Sequence, residues 1–271
     1  LYGAIDIGNE KIAIDYKIYY CKIPNSDELL GYNVIYYTNK DDTVVAAYPR
    51  NNVTLELTQD EISERSDTKT VIYYDYAERE RTARLSDNVY MVYNGRGTAS
   101  LKTVRPGYGK LRLIDHNNDG IYDAAISEDY KNYRVIGVSK SEGVISAKSG
   151  EHIKTDDGGV CIIKDGEKIS AEKIEPDSIV SVASSENGDK VNIYVSTDRI
   201  AGKIMKKNSS ESSVVIDETE YKTFEPRLFE ELDAGKGGTF YLDFMGNIAD
   251  AEYSDDNSYA YLKNVLYTED D

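Results

Sequence analysis

The sequence predicts an all-β protein built from small β-barrel or β-sandwich units in tandem. Two observations lead to this class. The aromatic residues are 24 Tyr and 4 Phe with no Trp, and Tyr, Val and Ile are favoured on half-buried sheet surfaces. Apolar and polar residues also alternate over short segments that are separated by Asn, Asp and Gly, which is the pattern of β-hairpins. With 271 residues, the chain has room for more than one such unit.

One pattern of short strands recurs three times, which favours internal duplication. The first copy covers residues 1–50 and opens with predicted strands over Gly3–Ile7 and Lys11–Asp15. A looser copy covers 139–199, and the third covers 200–271. The alternative is that hairpins occur at such spacing in any all-β chain. Each unit of about 50 residues is too small to bury an adequate core alone, so neighbouring units are expected to pack together.

A β-rich insertion, residues 51–138, separates the first two copies. Alternation predicts three strands in its first part, at Val53–Leu57, Thr70–Tyr74 and Val89–Tyr93. The polar run Gln59–Thr68 is compatible with one helical turn opened by Thr58, and with nothing longer.

The second part of the insertion carries the one motif with clear chemistry. Side chains with oxygen ligands occupy loop positions one, three, five and nine, which are Asp115, Asn117, Asp119 and Asp123. Position six is Gly120, and position seven, Ile121, offers its backbone carbonyl. A calcium ion takes about six to eight oxygen ligands, and this spacing is that of calcium loops. Position twelve is Ile126 rather than the glutamate of an EF-hand, and Glu128 or Asp129 could fold back to complete the shell. An Asn/Asp/Gly hairpin turn without metal is the alternative.

Charge and hydropathy exclude several functions. The net charge is −17, and no basic cluster suitable for phosphate contacts is present, so nucleic acid is not an expected partner. No stretch approaches the roughly 20 apolar residues of a membrane span, so direct membrane insertion is not expected. Because the chain starts at Leu1 without a charged, apolar leader, we expect it to be a piece of a longer protein.

Catalytic signatures are missing, and we expect the protein not to be an enzyme. The sequence contains no nucleophile elbow, zinc-protease motif or phosphate-binding loop. Its two histidines, His116 and His152, are interpreted as surface residues. A hydrolase with a carboxylate pair is a remaining alternative, although 49 acidic residues always supply such pairs. Cys21 and Cys161 are far apart and are expected to be buried free thiols, with a disulfide as the alternative.

Three tyrosine doublets offer a candidate recognition surface. In a strand, the members of Tyr19-Tyr20, Tyr36-Tyr37 and Tyr73-Tyr74 point to opposite faces, so one of each pair is expected outside. Outward rings either pack in cross-strand pairs or contact a polysaccharide or protein partner, where Tyr is over-represented.

Four short segments of the sequence resemble a known group of proteins: Glu28–Val34, Val92–Gly95, Leu113–Asp123 and Thr239–Asp243. They are similar to the β-rich regions of surface proteins of anaerobic Gram-positive bacteria, which often also carry S-layer homology domains. The resemblance implies an exported, extracellular protein that another region anchors to the cell surface. Our leading hypothesis is therefore a non-enzymatic structural or assembly module, either a calcium-stiffened spacer or a self-assembling unit, whose partners are further copies of itself or other surface proteins. The alternative is a carbohydrate- or cell-wall-binding module that uses exposed tyrosines.

Overall fold

A computed structural model of the chain describes residues 11–15, 17–23, 26–98, 100–156, 158–223 and 225–254. It confirms the all-β class, with 55% strand and 8% helix. The chain forms two compact units, Leu1–Thr197 and Asp198–Asp271. Four sheets follow one another along the described residues, and none of them closes into a barrel there. The described helical segments are α1 (Leu101–Val104), α2 (Pro226–Glu231) and three short 3-10 turns at Ser26–Leu29, Gln59–Glu61 and Ala171–Lys173.

The first sheet contains β1 (Lys11–Ile14), β2 (Lys17–Cys21), β3 (Val34–Thr38) and β4 (Thr43–Pro49). Their order is β1-β2-β4-β3, and β2 runs parallel to β4. Ile12, Ile14, Cys21 and Val44 form the buried side because alternate residues of each strand face inward. The strand predicted over Gly3–Ile7 lies outside the described residues.

The second sheet contains β5 (Val53–Thr58), β6 (Thr70–Tyr74), β7 (Glu80–Tyr93), β8 (Arg96–Gly97), β9 (Gly109–Asp115) and β10 (Ile121–Asp129). Its order is β5-β9-β10-β7-β6, with β8 paired to β7. The predicted helical turn is confirmed as a single 3-10 turn after Thr58. The carboxylate of Glu61 accepts hydrogen bonds from the backbone N–H and the hydroxyl of Thr58, at 2.7 and 2.9 Å. These contacts belong to a capping box formed by the two residues.

The first and second sheets pack together through a glycine. Gly31 has a φ of 81°, and a Cβ atom placed there would lie 2.9 Å from Cβ of Ala124. Leu30 and Tyr32 on either side contact the buried cluster of the second sheet that contains Ile114 and Ala124. The lack of a side chain at Gly31 therefore lets the segment before β3 lie directly on β10.

The third sheet contains β11 (Lys131–Ser139), β12 (Val144–Ala147), β13 (His152–Lys154), β14 (Val160–Lys164), β15 (Glu167–Lys168), β16 (Ile179–Ser184) and β17 (Val191–Ser196). The strand order is β13-β12-β11-β16-β17-β14-β15, with β14 parallel to β17. Val135, Ile145, Ile162, Val180 and Ile193 form its buried cluster. This sheet begins eight residues before the predicted start of the second copy, at Lys131 rather than at residue 139.

The fourth sheet belongs to the second unit and contains β18 (Arg199–Asn208), β19 (Ser213–Ile216), β20 (Thr219–Lys222), β21 (Gly237–Leu242) and β22 (Ile248–Tyr253). The order is β20-β19-β18-β21-β22. Its core is formed by Ile204, Phe240, Leu232 and Ile248, and α2 contributes Leu228.

The third and fourth sheets share one unusual feature, a long bent opening strand. The first half of β11 pairs with β16 and its second half with β12, with a register shift after Val135. In the same way β18 pairs first with β21 and then with β19, with a shift after Ile204. Val135 and Ile204 are both fully buried, and each exchanges two backbone hydrogen bonds with the segment that precedes the partner strand. The two sheets are thus built on the same plan.

Candidate metal loop and the polar seam between two sheets

The predicted metal loop joins β9 to β10, and its first residue is its anchor. Asp115 is 2% exposed. Its Oδ1 accepts hydrogen bonds from the backbone N–H groups of Asn117 and Asn118 at 3.2 and 2.6 Å, and its Oδ2 accepts one from Gly120 at 2.9 Å. Asn118 and Gly120 have positive φ angles of 64° and 85°, as such a tight reversal requires. The carboxylate therefore organises the loop by itself.

The other predicted ligands make similar local contacts. Oδ1 of Asn117 accepts from the N–H of Asp119 at 2.9 Å, and Oδ1 of Asp119 accepts from the N–H of Ile121 at 2.8 Å. Oδ2 of Asp123 accepts from the N–H of His116 at 3.1 Å and lies 3.2 Å from its Nδ1. Among the described residues, no group of three or more His, Cys, Asp or Glu side chains is placed to hold a metal ion. Calcium binding at this loop stays a prediction.

The expectation that Glu128 or Asp129 folds back to complete a metal shell is wrong. Both residues lie at the far end of β10 from the loop, because the strand is extended over its nine residues. The carboxylate of Asp129 accepts hydrogen bonds from the N–H groups of Gly107 and Tyr108 and from the hydroxyl of Tyr93, at 2.9 to 3.0 Å. Its oxygens are therefore used within the second sheet.

Glu128 is the centre of a polar cluster that joins the second sheet to the third. Its Oε2 accepts hydrogen bonds from the hydroxyls of Tyr130 and Tyr194, at 2.6 and 2.8 Å, and its Oε1 accepts one from Nδ2 of Asn192 at 2.6 Å. Glu128 lies on β10, whereas Asn192 and Tyr194 lie on β17. We call this group, together with the pairs described next, the polar seam. Hydrogen bonds to an ionised acceptor are stronger than those between neutral groups.

Two further contacts extend the polar seam. Asn94, in the turn after β7, is 5% exposed; its Oδ1 accepts from the N–H of Asp129 and its Nδ2 donates to the carbonyl of Ser184, both at 2.8 Å. Nε of Arg96 donates to Oδ1 of Asp189 at 2.8 Å, and the two side chains form an ion pair. Three separate places on the second sheet are therefore bound to the β16–β17 region.

The tyrosines of the seam are held as neutral donors. Tyr130 is 4% exposed, and its ring meets that of Tyr194 edge to face at a centroid distance of 5.5 Å. Burial, and secondly the charge of Glu128, raise the pKa of both hydroxyls well above the usual value for tyrosine. Both groups consequently remain protonated at neutral pH and keep donating to the carboxylate.

The sequence patterns did not predict the seam. The one local signal is an acidic residue, Glu128, that directly continues the buried run Ala124–Ser127. A buried strand rarely ends in a carboxylate that lacks a partner. Its partners, however, lie 64 and 66 residues away along the chain, so no local pattern identifies them.

Each of the three tyrosine doublets places one ring on the solvent side of its sheet, as predicted. Tyr20, Tyr37 and Tyr74 are 60%, 57% and 40% exposed, while their neighbours Tyr19, Tyr36 and Tyr73 pack inward. Tyr48, which β4 presents opposite Ile35, is also 60% exposed. The outer side of the first sheet therefore carries Tyr20, Tyr37 and Tyr48 together with the exposed aliphatic residues Ile18, Ile35 and Val45. We call this set the tyrosine face.

Neither cysteine forms a disulfide, as expected; Cys21 is buried, whereas Cys161 is only half-buried. None of the helices in the described residues is long and apolar enough to cross a membrane. The chain matches no known protein-family model and no curated protein sequence. Fold and site together define the class: an all-β protein of successive sheets, in which directional polar contacts join the second sheet to the third.

Proposed function

We propose that the chain is a non-enzymatic, extracellular structural module of a bacterial cell-surface protein, and that its first unit acts as a rigid spacer. The observation that carries this proposal is the polar seam. Charged and neutral hydrogen bonds at three places fix both the distance and the rotation between the second and third sheets. Apolar packing alone is not directional and fixes rotation less strictly.

The connections between the sheets are also short, which supports the same role. A single residue, Tyr130, separates the end of β10 from the start of β11, and its side chain belongs to the seam. Between the first and second sheets, Asn33 and Asn52 exchange hydrogen bonds: the N–H of Asn33 donates to Oδ1 of Asn52 at 2.8 Å, and Nδ2 of Asn52 donates to the carbonyl of Asn33 at 2.9 Å. Flexible linkers between domains are longer and lack such contacts.

The extracellular location rests on composition and resemblance. A net charge of −17 favours solubility and weak self-attraction in a calcium-rich exterior. The resemblance of four short sequence segments to surface proteins of Gram-positive anaerobes also supports an extracellular location. Within this proposal, calcium at the β9–β10 loop adds stiffness to the second sheet, with Asp115, Asn117, Asp119, Ile121 and Asp123 as its ligands.

Distance measurements between spin labels test the rigid spacer. Cysteines are introduced by Glu56→Cys on β5 and Glu167→Cys on β15, in a Cys21→Ala, Cys161→Ser background; both glutamates are exposed. We expect a single narrow distance distribution between these labels, because the seam fixes the two sheets. The matched control is a pair within the second sheet, Glu56→Cys with Thr82→Cys. A cross-sheet distribution several times broader than the control contradicts the proposal.

The tyrosine face favours a second function, binding of a polysaccharide. Flat exposed rings stack on the apolar faces of sugars, and Tyr is common in recognition surfaces. We expect the combined change Tyr20→Ala, Tyr37→Ala, Tyr48→Ala to lower binding to purified cell-wall polysaccharide at least tenfold in a pull-down, without changing the melting temperature much. Tyr76→Ala is the control, since Tyr76 is 97% exposed outside this face. A wild-type chain that binds no polysaccharide on a glycan array rules this function out.

A further inference from the structure

The hairpin β3–β4 of the first sheet has the same geometry as the hairpin β21–β22 of the fourth. The strand register shifts directly after Tyr37 in one hairpin and directly after Tyr241 in the other. In the turns that follow, Oδ1 of Asn39 accepts hydrogen bonds from the N–H groups two and four residues later, and Oδ1 of Asp243 accepts the same two bonds, all at 2.9 to 3.0 Å. The two hairpins therefore correspond residue by residue.

The segments before these hairpins correspond as well. Gly31 and Gly235 have positive φ angles of 81° and 93°, and Asp177 of the third sheet has one of 67°. In each case the next residue donates a backbone hydrogen bond to the carbonyl three residues before itself. The hairpins β1–β2 and β19–β20 both turn at an aspartate with positive φ, Asp15 at 47° and Asp217 at 44°. The first sheet thus shares most of the plan of the other two.

One strand of that plan is not among the described strands of the first sheet. In the fourth sheet the long bent strand β18 lies between β19 and β21, which correspond to β1 and β3. The strand β11 has the same place in the third sheet, between β12 and β16. In the first sheet, β1 and β3 are instead the two outermost strands. Within the described residues, both edges that a bent strand joins elsewhere are therefore unpaired, and an unpaired edge is a template for a further strand.

The backbone at Gly31 indicates where such a strand would bind. At the corresponding positions, the N–H groups of Asp177 and Gly235 donate to carbonyls of the bent strands, those of Val135 and Ile204, at 2.8 and 2.7 Å. Gly31 is buried, but none of the described residues accepts a hydrogen bond from its N–H. A buried N–H group without an acceptor is rare because it costs free energy. We therefore expect an acceptor from a further strand at this position.

The outer edge of β3 offers further backbone groups to the same strand. The N–H of Arg50 donates to the carbonyl of Asn33, and residues of an antiparallel pair alternate between hydrogen-bonded and non-hydrogen-bonded positions. The N–H and carbonyl groups of Val34 and Tyr36 therefore point away from β4, toward the outer edge. Pro49, which lies opposite Val34, has no N–H to donate, in agreement with this alternation.

We propose that the segment Leu1–Gly8 of this same chain binds there as a strand between β1 and β3. It directly precedes β1, as β18 directly precedes β19, so a short connection holds it close to both edges. Gly3-Ala4-Ile5 has the spacing of Gly202-Lys203-Ile204, which places Ile5 at the position of Ile204. The carbonyl of Ile5 then accepts the hydrogen bond that the N–H of Gly31 donates.

The pairing of β18 with β21 fixes the register of this strand. Gly202 lies opposite Gly238, and Val34 corresponds to Gly238, so Gly3 lies opposite Val34. The first half of the segment, Leu1–Ala4, is then antiparallel to β3, and its second half is antiparallel to β1. The competing occupant is the same segment of a second copy of the chain, which would exchange strands with the first.

A disulfide between Tyr2→Cys and Ile35→Cys, in the Cys21→Ala, Cys161→Ser background, tests this register in the full chain. The two positions form a directly opposed, non-hydrogen-bonded pair with a Cα separation of about 4.5 Å, which a disulfide can span. We expect mild oxidation with diamide to give an intramolecular disulfide in monomeric protein. The control is Tyr2→Cys with Tyr37→Cys, a diagonal pair at about 7 to 8 Å that should stay reduced.

Three outcomes of this oxidation overturn the proposal. A disulfide-linked dimer on a non-reducing gel assigns the edge of β3 to a second copy. Protein that stays reduced in both pairs shows that the segment does not lie beside β3. Equal oxidation of both pairs contradicts the register on which the proposal depends.

Amide hydrogen exchange of the chain with its native cysteines is an independent test. In the wild-type chain, the amides of Val34 and Tyr36 should be protected. Ile5→Lys places a charge on the buried side and should raise their exchange rates about tenfold or more. Ile7→Lys, at the position that corresponds to the exposed Lys206, should leave both rates unchanged, and amides of the third sheet should stay protected in both variants. Unprotected wild-type amides, or equal effects of the two variants, would refute the proposal.

Discussion

The substitution Glu128→Ala is expected to lower the free energy of unfolding of the Leu1–Thr197 unit by about 3 kcal/mol. The change removes the shared acceptor of three donors, the hydroxyls of Tyr130 and Tyr194 and the amide of Asn192. Tyr130 is almost fully buried, so water cannot fully replace the carboxylate at its hydroxyl. Glu128 itself is half-buried, and we therefore expect a loss at the lower end of the roughly 3 to 5 kcal/mol that breaking a fully buried charged pair costs.

Urea denaturation followed by tyrosine fluorescence measures this effect, since the chain has no Trp. Hydrogen exchange adds the spatial readout: amides of β16 and β17 should exchange faster in Glu128→Ala, because these strands lose their contact with β10. Glu56→Ala removes an exposed glutamate of the same sheet and should change stability by less than about 0.5 kcal/mol. If Glu128→Ala behaves like Glu56→Ala, the seam does not couple the sheets and the spacer proposal loses its main support.

The substitution Asp115→Ala is expected to cost about 2 kcal/mol even without calcium, since a hydrogen bond to a charged group contributes about 1.5 to 3 kcal/mol and water replaces part of this loss at the exposed N–H groups of the loop. The carboxylate accepts three backbone hydrogen bonds while 2% exposed, and alanine replaces none of them. Asp115→Asn keeps one acceptor oxygen and should lose roughly half as much stability. Thermal unfolding in the presence of a chelator measures this purely structural part.

Calcium titration distinguishes stabilisation by a bound ion from the structural role of the loop residues. Asp119 is exposed, and its carboxylate accepts one hydrogen bond, from Ile121. Asp119→Ala should therefore change stability little in chelator, yet abolish any rise in melting temperature at millimolar calcium. A wild-type chain whose melting temperature does not rise with calcium contradicts the metal prediction and leaves the structural role of Asp115 intact.

Local patterns explain why much of the fold was predictable. Val53–Thr58 and Thr70–Tyr74 alternate in polarity, and alternation requires an extended chain with one buried face. The turn after Thr58 follows from a Thr and a Glu three residues apart, whose contact needs no distant partner. The metal-loop residues are likewise close in sequence, and their spacing predicts a tight acidic loop whether or not an ion binds. The tyrosine doublets also place one ring on each face for the same geometric reason.

Which strands pair with each other, by contrast, was decided only by the tertiary structure. Alternation marks which side of a strand is buried, but not which strand lies beside it, so the parallel pairing of β7 with β10 was not predictable. The division of β11 between β16 and β12 was not predictable either, because Val135, where the pairing changes, is held by hydrogen bonds with Asp177 and Ser178, far along the chain. Glu128 is the clearest case. Its sequence neighbourhood shows only a charge after a buried strand, and its role exists because folding brings Asn192 and Tyr194 of β17 to it.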